Sequence, residues 1–373
     1  MLQTLTYQYR VKDSKSGMSL ARHSANVNFV WNFSNNILKQ SAHNYKLGGN
    51  PKYVNSFDLN NLLAGSSKEL NLHSQTIQAV AETLSLNRKI AKKSSLKWRS
   101  RKRGSLGWVP LKASGFQIKD SFVTYQKKKY KFWDSRPLPE DAVIKTGSFS
   151  QDSLDHWFFN VTFTTDSDAV HPSPGSAVGI DQGIKTLMTL SDGYKYERDS
   201  YTKEYADQLA TAQRAHKKRQ IKKINLKIKN KRKNYAHQIT TKIAKQFETV
   251  VVGNIKSQDI IDKGIRSLTK GVYDAGWYFS DTLLRYKTVK FGGIFSEETE
   301  SYSTQDCSSC SARCGPKGIE DLNIRVWECS SCHVIHDRDV NAARNILKRY
   351  ISKRDKVSLA LSDMIGRKGI PVL

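Results

Sequence analysis

The chain has 373 residues, with 61 Lys+Arg against 34 Asp+Glu and a formal net charge of +27. So large an excess, spread along the whole length, implies a polyanionic partner; nucleic acid ranks first, because each cation that neutralises a phosphate releases a condensed counterion. No run approaches the ~18 apolar residues of a membrane span, and the N-terminus MLQTLTYQYRVKD lacks a signal peptide's apolar block, so a cytoplasmic protein with no membrane partner is expected. A basic protein with merely solvated charge ranks second. An anionic membrane surface ranks third, since the basic helices lack a companion face of Trp, Phe and Leu.

In chain order, LQTLTYQYRV alternates like a strand, and the pattern turns helical from about Leu20 to Arg103. Strand-like pieces return in GWVPL, FQIKDSFVTY, KYKFW and HWFFNVTFTT, giving a β-rich, barrel-like unit with a helical insertion. DSDAVHPSPGS, Asp166 to Ser176, reads as a linker. AVGIDQGIKTLMTLSDGYKYE then reads as two apolar strands joined by a turn, with Asp181 ending the first. Ser200 to Phe247 is helical and basic, and its stretch RAHKKRQIKKINLKIKNKRKNYAHQITTKIAKQ contains no acid. FETVVVGNIK is a buried strand stopping at Gly253; GVYDAGWYFSDTLLRYKTVKFGG is helical; GGIFSEETES is a strand. A cysteine module spans Cys307 to Cys332, and HDRDVNAARNILKRYI opens a helix at Asp339 with Ala342, Ala343, Ile346 and Leu347 on one face. The tail from Ser352 shows no clear pattern, and the chain has no internal repeat or heptad.

Four of the five cysteines form two CxxC pairs, Cys307/Cys310 and Cys329/Cys332. In a reducing compartment that spacing favours a metal over disulfides. Two knuckles of thiolates make a tetrahedral Zn²⁺ site whose full shell leaves no open position, hence a structural ribbon. Four buried free thiols are the bland alternative. Cys314, in ARCGPKG, reads as an incidental thiol on the ribbon turn, with ligand exchange as its other possible role.

Asp181 and Asp339 are weak signals singly: one could be a turn former, the other an N-cap. Together they suit one edge of an RNase H-like sheet, where carboxylates hold two Mg²⁺ at a scissile phosphate. Three basic runs interleaved with Trp98, Tyr130, Trp133 and Tyr235 suggest RNA or heteroduplex binding. The candidate phosphate contacts are Arg88, Lys92, Lys93, Arg99, Arg101, Lys127, Lys128, Arg214, Lys217, Lys218, Lys222, Lys223, Lys229 and Arg232. For any single lysine, a solvated helix face is the commoner role. His216 and His237 read as ordinary surface or core histidines rather than ligands.

VGIDQGIK, VVVGNIK, DAGWYFSDTLLRYK, YSTQDCSSC and HDRDVNAARNIL occur in the order and spacing of the TnpB family, the transposon-encoded RNA-guided RuvC-like nucleases. The resemblance implies an α/β multidomain fold. Residues 1–19 and 104–165 would form an N-terminal β-barrel-like wedge, with the helical recognition domain at 20–103 as its insertion. After the linker at 166–176, a C-terminal RNase H-like (RuvC) domain would occupy 177–305 and 333–351, with the zinc ribbon inserted at 306–332 and a tail at 352–373. The family's site is an Asp, a Glu and an Asp; Asp181 matches the first and Asp339 the last, but the glutamate position is Gly253. Among substitutes, Glu248 lies about 16 Å down the same strand, Asp337 is two residues before Asp339, and Asp259 is in a loop that could fold back.

The resemblance is closest to the nuclease-dead subgroup called TldR. It implies a transcriptional repressor that occupies DNA matched to its guide RNA and does not require Mg²⁺ for binding. Its partners would be the guide RNA and double-stranded target DNA with a short adjacent motif. It would be monomeric on one RNA and nucleoid-associated in a bacterial cytoplasm. The alternative is an active metal-dependent endonuclease with a relocated acid. Behind these stand a non-guided protein, such as a transposase accessory or RNA chaperone, and a decaying transposon relic.

Overall fold

The computed structural model describes residues 2–48, 54–166, 172–197, 201–254, 276–317, 321 and 323–368. It divides into two compact units, Met1–Ser167 and Asp168–Leu373, with the boundary inside the expected linker.

In the first unit β1 (Leu2–Arg10) pairs antiparallel with β7 (Trp157–Asp166), which pairs with β6 (Val143–Gln151), which pairs in turn with β2 (Trp108–Lys112). A three-stranded sheet of β3 (Gln117–Lys119), β4 (Phe122–Tyr125) and β5 (Lys128–Lys131) joins it through the Val11–Phe132 bridge. The β4–β5 hairpin turns on Gln126 and Lys127, both left-handed, as a two-residue turn matched to strand twist demands. Three helices follow or interrupt these strands: α1 (Ser14–Lys46), α2 (Ser56–Leu62) and α3 (Ser74–Ala91). Helix α1 begins ahead of the expected Leu20 because Asp13 caps it, accepting from the Ser16 backbone. Leu20, Val27 and Leu38 of α1 and Ile77, Val80 and Leu84 of α3 share one core with Val109, Phe149, Phe159 and Phe163 of the sheet.

The second unit is built on a five-stranded sheet. β8 (Ser173–Gln182), β9 (Thr186–Leu190) and β10 (Lys195–Glu197) form an antiparallel meander; β11 (Phe247–Gly253) and β12 (Ile294–Glu298) are added parallel on the other side of β8. The spatial order is β10-β9-β8-β11-β12. Helices α4 (Tyr201–Glu204), α5 (Ala206–Arg214) and α6 (Lys218–Gln246) precede β11; α7 (Trp277–Lys290) precedes β12. One sheet face, Val178, Ile180, Val250 and Val252, packs on Ile239 and Ile243 of α6 and Trp277 and Leu284 of α7. Buried Lys287 ties α7 to α6: its Nζ donates to His237 O and to the Thr240 and Thr241 hydroxyls at 2.6–2.7 Å.

The opposite face carries α8 (Arg338–Lys368). This helix runs well past Ser352, so the stretch expected to lack pattern continues it. The expected linker is likewise shorter, since β8 already begins at Ser173.

Candidate metal and nucleic-acid sites

Alternation along β8 puts Gly179 and Asp181 on one sheet face. At Gly179 the backbone of α8 comes into direct contact: an added Cβ would collide with Ala343 O and lie 2.9 Å from Leu347 Cβ. Asp339 is one helical turn before Ala343, about 6 Å back along the axis, while Asp181 is about 6.6 Å on from Gly179. The close approach licensed by the glycine therefore brings both aspartates to the same end of the sheet. Capping of α8 falls to Asp337, whose Oδ1 accepts from Asp339 N at 3.2 Å and Val340 N at 3.1 Å. Its other oxygen pairs with Lys195 Nζ at 2.7 Å. Burial alone would raise the Asp337 carboxyl, but these donors outweigh it and hold it low. Asp339 is thus relieved of the N-cap role and faces Arg325 Nη1 at 3.5 Å.

The third corner is filled from an unexpected position. In the parallel ladder Val251 pairs with Gly179 and Gly253 with Glu298, so a side chain at 253 would share the face of Asp181. A Cβ built on Gly253 would run into Glu300: Oε1 is the nearest atom, with Cγ at 2.6 Å and Cδ at 2.7 Å. A carboxylate entering from just beyond β12 occupies the space the missing side chain would take. Among the described residues, the buried Glu300 Oε1 has no hydrogen-bond partner. Burial first, then the neighbouring Asp281, push the Glu300 carboxyl up to about 8, against the pull of Arg349. Asp181 is pushed well above the carboxylate range by burial and then by Glu300 and Asp339, opposed by Arg338. On α7, Asp281 is raised to about 7, chiefly by burial, while Gln182 Nε2 donates to it at 2.7 Å.

Of the other substitutes, Asp337 is near enough for its charge to raise Asp181 further. Glu248 accepts from Gly175 N near the start of β8, and Asp337 is spent on the cap and Lys195. Asp259 lies outside the described residues. A buried, partnerless carboxylate oxygen among acids driven toward protonation is the chemistry a divalent cation resolves. Among the described residues, the four cysteines are the group whose donor atoms all lie within 4.8 Å of one another, and Asp181, Glu300 and Asp339 do not form such a group.

In the ribbon, β13 (Val326–Glu328) and β14 (Ile335–Asp337) form a hairpin beside the two knuckles. Cys307 and Cys332 sulfurs are 3.7 Å apart, and those of Cys310 and Cys329 are 3.6 Å apart. A Zn–S bond of about 2.3 Å gives a tetrahedron edge of about 3.8 Å, so the four thiolates fit a metal such as zinc. His336 Nε2 lies 3.1 Å from Cys307 Sγ, and its ring packs against Trp327. Helix α8 clamps the ribbon's entry: Asn341 and Asn345, both buried, donate to Ser303 O and Asp306 O. Cys314 is not isolated on the turn; its sulfur is 3.4 Å from that of Cys329.

Of the basic candidates, Lys92, Lys93, Arg101, Lys127 and Lys128 in the first unit and Arg214, Lys217, Lys218, Lys222, Lys223 and Lys229 in the second are exposed. Arg88 is half-buried, its Nε donating to Lys93 O, and Arg101 pairs with Asp155 at 3.5 Å. Arg232 is half-buried and donates to Thr202 Oγ1. Arg99 is half-buried. It donates to Asn28 Oδ1 and Leu106 O at 2.8 Å and lies over the Trp31 and Trp108 rings. Burial lowers its pKa. A basic run reveals charge, but not which member turns inward.

Residues 277–346 match the family model described as "Cas12f1-like, TNB domain", and residues 160–263 match the OrfB IS605 model described as "Probable transposase". A Streptomyces pristinaespiralis protein provisionally named an RNA-guided DNA endonuclease is 32% identical over 228 residues, covering 57% of this chain and 54% of that protein. InsQ of Escherichia coli K12, provisionally named likewise, is 29% identical over 233 residues, covering 55% and 56%. The chain thus spans about half the length of these curated relatives. The fold is similar to that in a cryo-EM structure of a Cas12f1-sgRNA-target DNA complex, with TM-score 0.55, 12% identity, and coverage of 90% of this chain and 83% of that one. Among the described residues, no helix is long and apolar enough to cross a membrane. In sequence motifs and in fold alike, the chain is TnpB/Cas12f-like.

Proposed function

We propose that the protein is a metal-dependent, RNA-guided DNA endonuclease whose acidic site is Asp181, Glu300 and Asp339. The observation that carries this reading is the Glu300 carboxylate standing where a side chain at Gly253 would be. Gly253 by itself motivated a nuclease-dead reading; a second acid at the same corner turns the preference toward the relocated-acid alternative. The sheet order, with a meander followed by two parallel strands, supports the RNase H-like reading. The names of the relatives and the sgRNA–DNA complex of similar fold support guide RNA and target DNA as partners.

A pair of Mg²⁺ ions, when bound, would activate a water and stabilise the leaving oxygen of a phosphodiester. Asp181 and Asp339 would hold that pair from the β8 end and the α8 start, and Glu300 from the β12 side. Gln182 and Asp281 brace one another beside them. Arg325 offers a guanidinium at the edge of the site, where a phosphate oxygen could replace the carboxylate it now faces. The four cysteines would hold zinc and keep the ribbon folded, and with it Arg325.

The test is cleavage of matched DNA by the protein purified with its guide RNA, in Mg²⁺ or Mn²⁺. Guide-dependent cutting that Asp181→Asn abolishes is expected. Tight, guide-dependent binding without cutting would instead establish the silent-repressor reading that Gly253 favours. Absence of any discrete co-purifying RNA would overturn both.

A further inference from the structure

We propose that Cys314 and Cys329 form an oxidation site: a peroxide converts the pair to a disulfide and thereby strips one ligand from the ribbon's metal. Five thiols crowd around a site that needs four. Cys314 is exposed, whereas Cys329 is buried. Their sulfurs are 3.4 Å apart, closer than the 3.6 and 3.7 Å pairs that match a tetrahedron edge. Cys314 is therefore in contact with a ligand while belonging to no CxxC knuckle. Closing to the roughly 2.05 Å of an S–S bond needs a shift of under about 1.5 Å. The turn is held by Cys314 N and Gly315 N donating to Gln305 O at 3.1 and 2.8 Å, which keeps the exposed thiol over its buried neighbour.

The chemistry balances with hydrogen peroxide as oxidant. The Cys314 thiol attacks the peroxide, an S–O bond forms as the O–O bond breaks, and the products are a sulfenic acid and water. The Cys329 thiolate then attacks the Cys314 sulfur; the S–S bond forms and hydroxide leaves. Two thiol sulfurs lose two electrons, the peroxide gains them, and the metal keeps three thiolates. Since α8 clamps the ribbon's entry through Asn341 and Asn345, loosening the ribbon reaches the helix that bears Asp339.

The proposal rests on the zinc reading of the ribbon and is independent of whether the acid site cuts. Its test uses the full chain with its co-purified RNA, titrated with hydrogen peroxide. Metal release is followed with a chromogenic zinc chelator and disulfides by non-reducing peptide mapping. The expected result is a Cys314–Cys329 linked peptide that appears in step with zinc release and is reversed by a dithiol reductant plus zinc. Cys314→Ser and Cys314→Ala should load zinc normally and need at least about tenfold more peroxide to release it. Release at the wild-type dose in these variants, or a first disulfide joining two of the four ligands, would overturn the proposal. So would failure of both variants to bind zinc, since Cys314 would then be a ligand itself. A wild-type chain without zinc at the outset would sink the zinc reading and with it the metal-release half of the proposal, while the peptide map still reports separately whether Cys314 and Cys329 join.

Discussion

At the scale of single residues, Gly253 at the end of β11 and Glu300 just beyond β12 compete for one space. Either could carry the acid, but not both: a side chain at 253 would displace the Glu300 carboxylate. Gly253→Ala should therefore lower cleavage by disturbing an acid it does not itself supply. A Gly253→Glu/Glu300→Ala double variant should recover part of what Glu300→Ala loses, with initial cleavage rates as the measure. Titration offers a second handle. A Glu300 carboxyl raised to about 8 binds its proton more tightly in the folded protein than in the unfolded chain, so stability falls as pH rises from about 4.5 to about 8. Metal-free protein should melt at lower temperature at pH 8.5 than at pH 6, Mn²⁺ should restore more at the higher pH, and Glu300→Gln should flatten the difference. Asp181 and Asp339 were legible because each sits in a motif whose neighbours fix its place. Glu300 was not, because it reaches Gly253 across a parallel ladder whose register only tertiary structure sets. The acids ending SEETES were visible, but nothing local says which of them points into the site. The packing of Arg99 was hidden for a similar reason: its run announces charge, while the indoles of Trp31 and Trp108 that it lies over are outside that run.

At the scale of elements, the site depends on how closely α8 lies on β8. Gly179→Ala forces a Cβ against the Ala343 carbonyl, a backbone atom that cannot rotate away. The expected cost is about 1–3 kcal/mol, read by urea denaturation, together with reduced cleavage as Asp339 is moved from Asp181. Lys287 fixes α7 on the opposite face with three hydrogen bonds. Lys287→Ala removes a charged donor from buried oxygens and should cost about 2 kcal/mol by the same measurement, without altering the metal-free pH profile of the acid site. Much of the order of strands and helices was readable from periodicity and turns, but the helical pattern expected to reach Arg103 stops at Ala91, where Lys92 turns left-handed and ends α3. The extension of α8 past Ser352 was not readable, since its later residues show no apolar stripe clear enough to announce a helix.

At the scale of the whole molecule, the net charge of +27 is the property that the sequence made most plain. The exposed lysines and arginines of each unit supply it. Affinity for guide RNA and matched DNA should fall steeply with salt, by roughly 10³-fold or more between 50 and 200 mM if six or more phosphates are neutralised. Filter binding across that range measures it. Charge would attract nucleic acid without cutting it; on the proposed reading, cutting depends on the corner that Glu300 fills. The most direct measurement is the single-turnover cleavage rate of Glu300→Gln with guide RNA, matched DNA and Mg²⁺, with DNA affinity measured alongside. A loss of at least about a hundredfold in rate with unchanged affinity is expected for removal of a metal-holding carboxylate. A Glu300→Gln complex that cuts as fast as wild type, or a wild-type complex that binds matched DNA and never cuts it, would contradict the account.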